Sequence, residues 1–432
     1  MRAYSAYIEQ LRTLIAGSLR QQYDLRENKE INEALNGQPS QQLRRLISLD
    51  MQRAAGAFFT GEKLAGRASR LLKLPTSPKP LIVDPACGVG DLLLACSRSL
   101  PISKDLKSTL DKWGRQLAGY DLHQEFIDAA KARLALAAIR RGVPVRDMSL
   151  KDIEQSLPNI QVRDGLSAND HIHTATHIIL NPPYTTIPAP KNCAWGAGIV
   201  SAAAVFLDVW ISRTVPGTRI VAILPDVLRT GSRYEKWRGY VRSLATISNI
   251  RIVGQFDRWA DVDVFLLSLT VGGKLRGRRR AWWTNGSDGR SVRVKDYFDV
   301  CVGPVVPHRD PQAGPVRPYI FAKASTPWGT IKQFLHHRNY EGRAFRPPFV
   351  VVRRTSRPGD RERAVGTIVM GKRLVAIENH LVVLLPQDKS YKRCTELLKV
   401  LKSPRTSNWL NRRIRCRHLT TTALRELPYQ DV

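Results

Sequence analysis

Hydrophobic positions change period along this chain, and the changes mark out its elements. Residues 1–50 are polar with leucines at loose helical spacing (Leu11, Leu14, Leu19), which predicts helices packed on a neighbour. The helical run GEKLAGRASRLLKL is broken by PTSPKP (75–80). Then short apolar runs begin to alternate with helical ones. LIVD (81–84) leads into DLLLACSRSL, and QLAGYDL (116–122) into QEFIDAAKARLALAAIRRG, which ends at Gly142. IQVRDGLS, HIILNPPY, the helical SAAAVFLDVWISRTV and the strand TRIVAILP continue the rhythm. Strand–helix alternation predicts βαβ units in a doubly wound, mostly parallel sheet. SNIRIVGQF and VDVFLLSLTV are too close for a crossover helix and should pair as a hairpin, giving the sheet an antiparallel edge strand.

From Lys274 the pattern is lost in a Gly-, Pro- and Arg-rich stretch, and it does not return in the same form. The tail holds FVVV (349–352), the strand-like NHLVVLLP and the helical TELLKVLKS, which fit a second, mixed α/β domain. The expected division is an N-terminal helical region (1–73), an α/β domain (74–275), a basic linker (276–314) and a C-terminal domain (315–432).

Composition alters this picture in one respect. The 432 residues are 43% hydrophobic and 24% charged, ordinary for globular protein, yet the formal charge is +31. Such an excess calls for a polyanion, nucleic acid before an anionic membrane surface. No apolar run approaches the roughly 18 residues of a spanning helix, and MRAYSAYIEQLRTL lacks the apolar core of a signal peptide, so a cytoplasmic protein is expected. Six scattered cysteines without a CxxC pair suggest neither disulfide framework nor zinc site. His171, His173 and His177 cluster before a strand without a supporting carboxylate or thiol pattern, so no metal is expected.

LIVDPACGVGDLLL places Gly88 and Gly90 at the carboxyl end of a strand, where open α/β sheets bind ligands and where glycine lets backbone approach closely. Leu93 occupies the third position of a dinucleotide fingerprint and no GKS or GKT follows, which disfavours a nicotinamide cofactor and a phosphate loop. Asp121, ending the next strand, suits the hydroxyls of a ribose; it also suits an N-cap for the helix starting near Gln124.

NPPY (181–184) ends another strand. Pro182 and Pro183 stiffen the turn and remove two N–H donors, leaving acceptors exposed. The Asn181 side-chain oxygen and the Pro182 carbonyl could hold both hydrogens of an exocyclic amine, favouring a pyramidal nitrogen with a localised lone pair. Tyr184 could stack on the base carrying that amine. The alternative is a plain strand-ending turn.

GAFFT (56–60), DPACGVGDLL (84–93) and NPPY (181–184), in this order, resemble the gamma class of N6-adenine-specific DNA methyltransferases, over roughly residues 50–275. The resemblance implies a Rossmann-like methyltransferase fold and S-adenosylmethionine as cofactor. In it Asp84, Pro85, Ala86, Cys87, Gly88 and Gly90 would hold the methionine moiety, and Phe58, Phe59 and Thr60 would close over it. Asp121, with Leu122, would take the ribose, and Asp164, with Gly165, the adenine amine; Asn181 would border both cofactor and target. Phe256 would stack on a flipped base opposite Tyr184, with Trp259 as a nearby substitute. Val89 departs from the serine or other small residue common at its position.

The resemblance implies double-stranded DNA as partner, with the target base extruded. KLRGRRR (Lys274, Arg276, Arg278, Arg279, Arg280), RRTSRPGDRER (Arg353, Arg354) and NRRIRCRH (Arg412, Arg413) could contact phosphates or simply be solvated. The tail from Pro315 resembles a target-recognition region. The leading expectation is a site-specific adenine methyltransferase of a restriction-modification or related defence system, any endonuclease being a separate chain. The alternatives are a methyltransferase acting on RNA or protein glutamine, and a non-catalytic DNA-binding subunit.

Overall fold

The computed structural model describes residues 4–20, 28–46, 48–50, 52, 58–75, 79–145, 149–257, 259–272, 282 and 292–429. Residues 1–228 with 236–280 form one unit, and 229–235 with 281–432 a second.

The first unit opens with helices α1 (Ser5–Arg20), α2 (Lys29–Leu35), α3 (Gln38–Leu46) and α4 (Glu62–Leu72). The buried stripe of α1 runs through Tyr7, Ile8, Leu11 and Ile15, with Leu11 four residues from Tyr7, three from Ile8 and four from Ile15, as one helix face requires. Leu14 is only partly buried, and the Leu19 side chain lies outside the described residues. Asn28 starts α2 by accepting the Ile31 amide at 3.0 Å.

The alternating part of the chain folds as β1 (Ile82–Asp84), α5 (Asp91–Ser97), α6 (Leu106–Gly114), β2 (Leu117–Asp121), α7 (Gln124–Arg140), α8 (Leu150–Ser156), β3 (Ile160–Val162) and β4 (His177–Leu180). After it come a short hairpin of β5 (Thr186–Pro188) and β6 (Ile199–Ser201), helix α9 (Ala202–Arg213) and the strands β7 (Arg219–Pro225), β8 (Ala245–Gln255) and β9 (Asp263–Val271). The sheet order is β3-β2-β1-β4-β7-β9-β8, parallel from β3 through β7. Every residue of β1 and β4 is buried, as expected of strands covered on both faces.

One detail departs from expectation. The antiparallel strand β9 lies inside the sheet, paired with β7 on one side and β8 on the other, and the edge strand is β8. The reason is in the side chains. VFLLSL in β9 is buried on both faces, whereas β8 carries Asn249 and Arg251 among partly exposed residues and tolerates water. The β5–β6 hairpin was not legible from the pattern.

The second unit is built on a five-stranded sheet, β10 (Phe298–Val302), β17 (Leu381–Pro386), β14 (Phe349–Arg353), β15 (Gly366–Val369) and β12 (Thr330–Ile331), in that spatial order. A three-stranded sheet orders β13 (His337–Asn339), β11 (Val316–Ile320) and β16 (Ala376–Ile377). Alternate residues of β14 face opposite ways. Val350 and Val352 join the core beneath helices α10 (Tyr391–Lys402), α11 (Pro404–Arg413) and α12 (Thr421–Arg425), while Phe349 and Val351 join a second core with Ile320 and Ile377. Strand β10 falls within the expected linker 276–314; Phe298 and Val300 carry its alternation and are buried, so this part of the stretch is integral to the second unit.

Candidate active site

A cleft opens at the carboxyl ends of β1 and β2. Its floor is the turn between β1 and α5. The Cys87 amide donates to the Tyr120 carbonyl at 2.9 Å and the Gly90 amide to the Cys87 carbonyl at 2.8 Å, folding the chain back on itself. Gly88 and Gly90 take φ of 50° and 82°, left-handed values that favour glycine. A Cβ on Gly90 would also stand 3.0 Å from that of Ala130 on α7, so the helix packs against bare backbone here.

Asp84 ends β1 with 1% exposure. Its Oδ1 accepts the Ala86 amide at 3.2 Å, and its Oδ2 is buried without a partner. Burial, reinforced by the charges of Asp121 and Asp91, pushes the carboxyl up to about 8. A cation beside it would favour the ionised form, and among the described residues none pairs with Asp84. Asp121 differs. Its Oδ2 accepts the Gly88 amide at 3.1 Å and its Oδ1 the His123 amide at 3.0 Å, so the carboxylate ties the two loops of the cleft together. It is not the helix cap: α7 is capped at His123, with no side-chain bond. Beside it Leu122 is 66% exposed on the cleft wall, a large apolar side chain facing open space. Asp164 at the rim accepts the Leu166 amide at 2.9 Å, and the Gly165 carbonyl accepts Trp210 Nε1 at 3.0 Å.

Asn181 and Pro183 line the same cleft, and so do Phe58, Phe59 and Thr60. Asn181 Nδ2 donates to Thr60 Oγ1 at 2.8 Å, and the Tyr184 hydroxyl donates to Asn181 Oδ1 at 2.6 Å. Both sides of the Asn181 amide are thus oriented by neighbours 121 and 3 residues away. Pro182 behind it is buried, and burial raises the Tyr184 phenol well above its ordinary value. Phe256 meets Tyr184 edge to face, with centroids 5.6 Å apart and planes at 88°. The two rings are not parallel plates, and a base stacked between them requires at least one to turn. Trp259, 38% exposed, lies under the Arg44 guanidinium at 5.6 Å.

Several residues around the cleft were not anticipated. Asp91, Leu92, Tyr120, His123, Phe126, Arg163 and Phe206 all line it. Only Asp91, an acidic residue opening the helix after the glycine turn, carried a readable signal. Phe126 and Phe206 come from helices whose approach is a tertiary matter. The histidines do not converge: His171 lies along the Tyr120 ring, centroids 6.5 Å apart, and His177 pairs with Thr176 Oγ1 at 2.9 Å in β4, where burial pulls it down to about 4. Among the described residues no group of three or more potential ligands could hold a metal, and no helix is long and apolar enough to cross a membrane.

Of the basic residues expected to meet phosphate, Lys274, Arg276, Arg278, Arg279 and Arg280 lie outside the described residues. Arg412 is exposed at the end of α11. Arg413 is a correction: it is 3% exposed, and its Nε pairs with Glu426 at 2.8 Å. Helical spacing explains it, since residue 413 follows buried Leu410 by three and shares its inward face. Arg353 donates to the Ser325 carbonyl at 2.7 Å and Arg354 to that of Asn379 at 3.4 Å, both partly buried. In the same run Arg363 is fully buried and donates to the Ile414 and Cys416 carbonyls, so part of this basic run is internal.

A mostly parallel seven-stranded sheet with one antiparallel strand, a glycine turn after β1 and a carboxylate after β2 define the S-adenosylmethionine-dependent methyltransferase fold. Residues 44–194 match the family model described as N-6 DNA Methylase. No curated protein matches the chain by sequence. Among solved structures, the type IIL restriction-modification enzyme MmeI in complex with DNA is similar at 12% identity and a TM-score of 0.49, covering 91% of this chain and 67% of that one. The M protein of the type I restriction enzyme EcoKI is similar at 17% identity and a TM-score of 0.38, covering 62% and 63%. A methyltransferase subunit of a type I restriction-modification system from Streptococcus thermophilus aligns at 16% identity and a TM-score of 0.36, over 50% of this chain. The chain spans 45% of the length of that subunit, and 57% of the type IIG restriction endonuclease BpuSI.

Proposed function

We propose that this chain is a gamma-class DNA methyltransferase that moves a methyl group from S-adenosylmethionine to the N6 amine of an adenine flipped out of duplex DNA. The observation that carries the proposal is Asn181. Its side-chain amide, held by Thr60 and Tyr184, borders the cleft that contains the glycine turn, Asp84 and Asp121.

The residues present fit the cofactor. The partnerless buried oxygen of Asp84 suits a cationic group, the Asp121 carboxylate suits ribose hydroxyls, and exposed Leu122 suits the face of a flat ring. Phe58 and Phe59 would cover the opposite side and Asp164 would receive an amine at the rim. When bound, S-adenosylmethionine supplies a methyl group on a cationic sulfur. The protein's part is to prepare the other reactant. Asn181 Oδ1 accepts one hydrogen of the adenine amine and the Pro182 carbonyl the second, which localises the nitrogen lone pair. Tyr184 and Phe256 hold the base by stacking, and the site contributes proximity and orientation more than acid or base strength. Extruding the base costs a few kcal/mol, which contacts to the flipped base and to phosphates must offset. The net charge of +31 favours such a partner. The second unit would read the target sequence, in the cytoplasm, as part of a restriction-modification or related defence system with its endonuclease on another chain.

The test is transfer of tritium from labelled S-adenosylmethionine to duplex DNA, with single-stranded DNA, structured RNA and a protein extract in parallel. N6-methyladenine from duplex DNA is the expected product. Label in RNA or in glutamine of proteins would replace this substrate assignment, and cofactor binding without transfer to any of them would favour a non-catalytic role.

A further inference from the structure

Arg133 lies in the middle of α7 with 0% exposure, and its guanidinium joins two segments far apart in sequence. Nε donates to the Ala34 carbonyl at 2.9 Å and Nη2 to the Leu35 carbonyl at 3.2 Å. Nη1 donates to the Val89 carbonyl at 2.5 Å and pairs with Asp91 Oδ1 at 2.8 Å. Ala34 and Leu35 close α2, whose last-turn carbonyls lack intrahelical donors and whose last turn has no basic residue of its own. Arg133 supplies both the donors and the positive charge that this helix end favours. Val89 and Asp91 flank Gly90 in the floor of the cleft, and both line it.

An apolar path runs beside the polar one. Tyr4 meets Phe126 edge to face at 5.4 Å, and Phe126 meets Phe59 at 5.1 Å. Phe59 in turn covers the glycine turn, 3.3 Å from where a Cβ on Gly88 would stand. Two kinds of contact therefore connect the N-terminal helices to the same few residues of the cleft floor. The planar fork matters for the polar path, because one side chain meets acceptors on two elements at once. A lysine ammonium at the same place has three donors on a single point and does not reproduce that fork.

We infer that Arg133 is a positioning residue for cofactor binding, and that it makes α1–α3 a layer whose order and the affinity of the cleft for cofactor are linked. The inference rests on the assignment of this cleft to S-adenosylmethionine. Linkage is reciprocal: if the ordered layer holds Val89 and Asp91 in the binding geometry, a ligand that fixes the turn must stabilise the layer to the same degree. A purely structural arginine would set global stability and leave no such relation.

The probe is S-adenosylhomocysteine, read by calorimetry and by amide hydrogen exchange on the whole chain. In the native protein, saturation should slow exchange across residues 28–46 by about fivefold or more, with β14 and β17 of the second unit as the internal reference. Arg133→Lys should raise the Kd about tenfold and remove that selective protection. With duplex DNA its KM for S-adenosylmethionine should rise by a like factor, while kcat at saturating cofactor stays within about twofold. Native protein that binds the probe with no selective slowing in 28–46 overturns the inference and leaves the cofactor assignment standing, and this arm does not depend on the variant folding. A folded Arg133→Lys with native affinity also overturns it. If the native chain fails to bind the probe at all, both the cofactor assignment and this inference fall.

Discussion

The Tyr184 hydroxyl donates a hydrogen bond to the side-chain oxygen of Asn181 at 2.6 Å, occupying the acceptor assigned to the target amine. A phenol and an adenine amine thus compete for one oxygen, and the tyrosine that would stack on the base first has to release it. Tyr184→Phe keeps the ring and removes the competitor. Since a net hydrogen bond is worth about 1 kcal/mol, the KM for DNA should fall roughly fivefold. Tyr184→Ala, which also removes the stack, should lower kcat/KM by roughly tenfold or more. Steady-state methylation of a mapped duplex site separates the two. Equal losses in both variants would mean that the hydroxyl assists rather than competes.

Asn181→Ala should lower kcat by about 100-fold or more, by analogy with deleting one oriented polar group from a catalytic site, and leave S-adenosylhomocysteine binding intact. Thr60→Val removes only the partner of the Asn181 amide nitrogen. It should lower kcat by a smaller factor, of about tenfold, because the acceptor is present but less well aimed. Weakened cofactor binding in Asn181→Ala would move this residue from the target side of the cleft to the cofactor side.

Asp84 provides a pH signature. Its carboxyl is raised to about 8, so the free protein holds a proton there at neutral pH. A cationic ligand group beside Asp84 expels that proton, and affinity should strengthen as pH rises from 6 toward 8. Calorimetry at pH 7 in buffers of differing ionisation enthalpy should register release of about one proton per cofactor. The sign for stability is opposite. Because the folded value lies above the unfolded one, this group stabilises the free protein at low pH, and its contribution is lost between about 4 and 8. Asp84→Asn should abolish both dependences; proton release that persists in the variant would point to another group.

Asp121→Ala removes the link between the Gly88 and His123 amides together with the expected ribose contact. Cofactor affinity should fall by about tenfold or more, as for a charge-assisted hydrogen bond. Unchanged affinity with a lowered Tm would make Asp121 a strut alone.

Neighbouring arginines should behave oppositely. Arg412→Ala, on the exposed side of α11, should leave stability within about 0.5 kcal/mol and reduce the salt dependence of DNA binding by about one phosphate contact. Arg413→Ala breaks a buried pair with Glu426 and should cost about 3 kcal/mol of stability. Thermal melts and salt-titrated binding decide between them. Loss of DNA affinity in a stable Arg413→Ala protein would return this residue to the interface.

Local chemistry by itself determined much about this protein. The strand–helix alternation from Leu81 to Pro225, the glycine turn and the stiff Asn181–Tyr184 corner were readable because each depends on periodicity, on a left-handed φ, or on proline's missing donor, all properties of a few adjacent residues. Tertiary structure decided the rest. That β9 lies inside the sheet and β8 at its edge follows from which hairpin strand can bury both faces, a comparison with partners that lie elsewhere in the chain. That Arg413 and Arg363 are internal while Arg412 is exposed depends on which face of a helix or loop meets the core. Thr60 against Asn181, and Arg133 against Ala34, Leu35, Val89 and Asp91, are contacts across dozens of residues, and no local pattern encodes them. Propensity and spacing act over one or two turns of chain, whereas a hydrogen bond needs two atoms within about 3 Å, and folding alone brings distant residues that close.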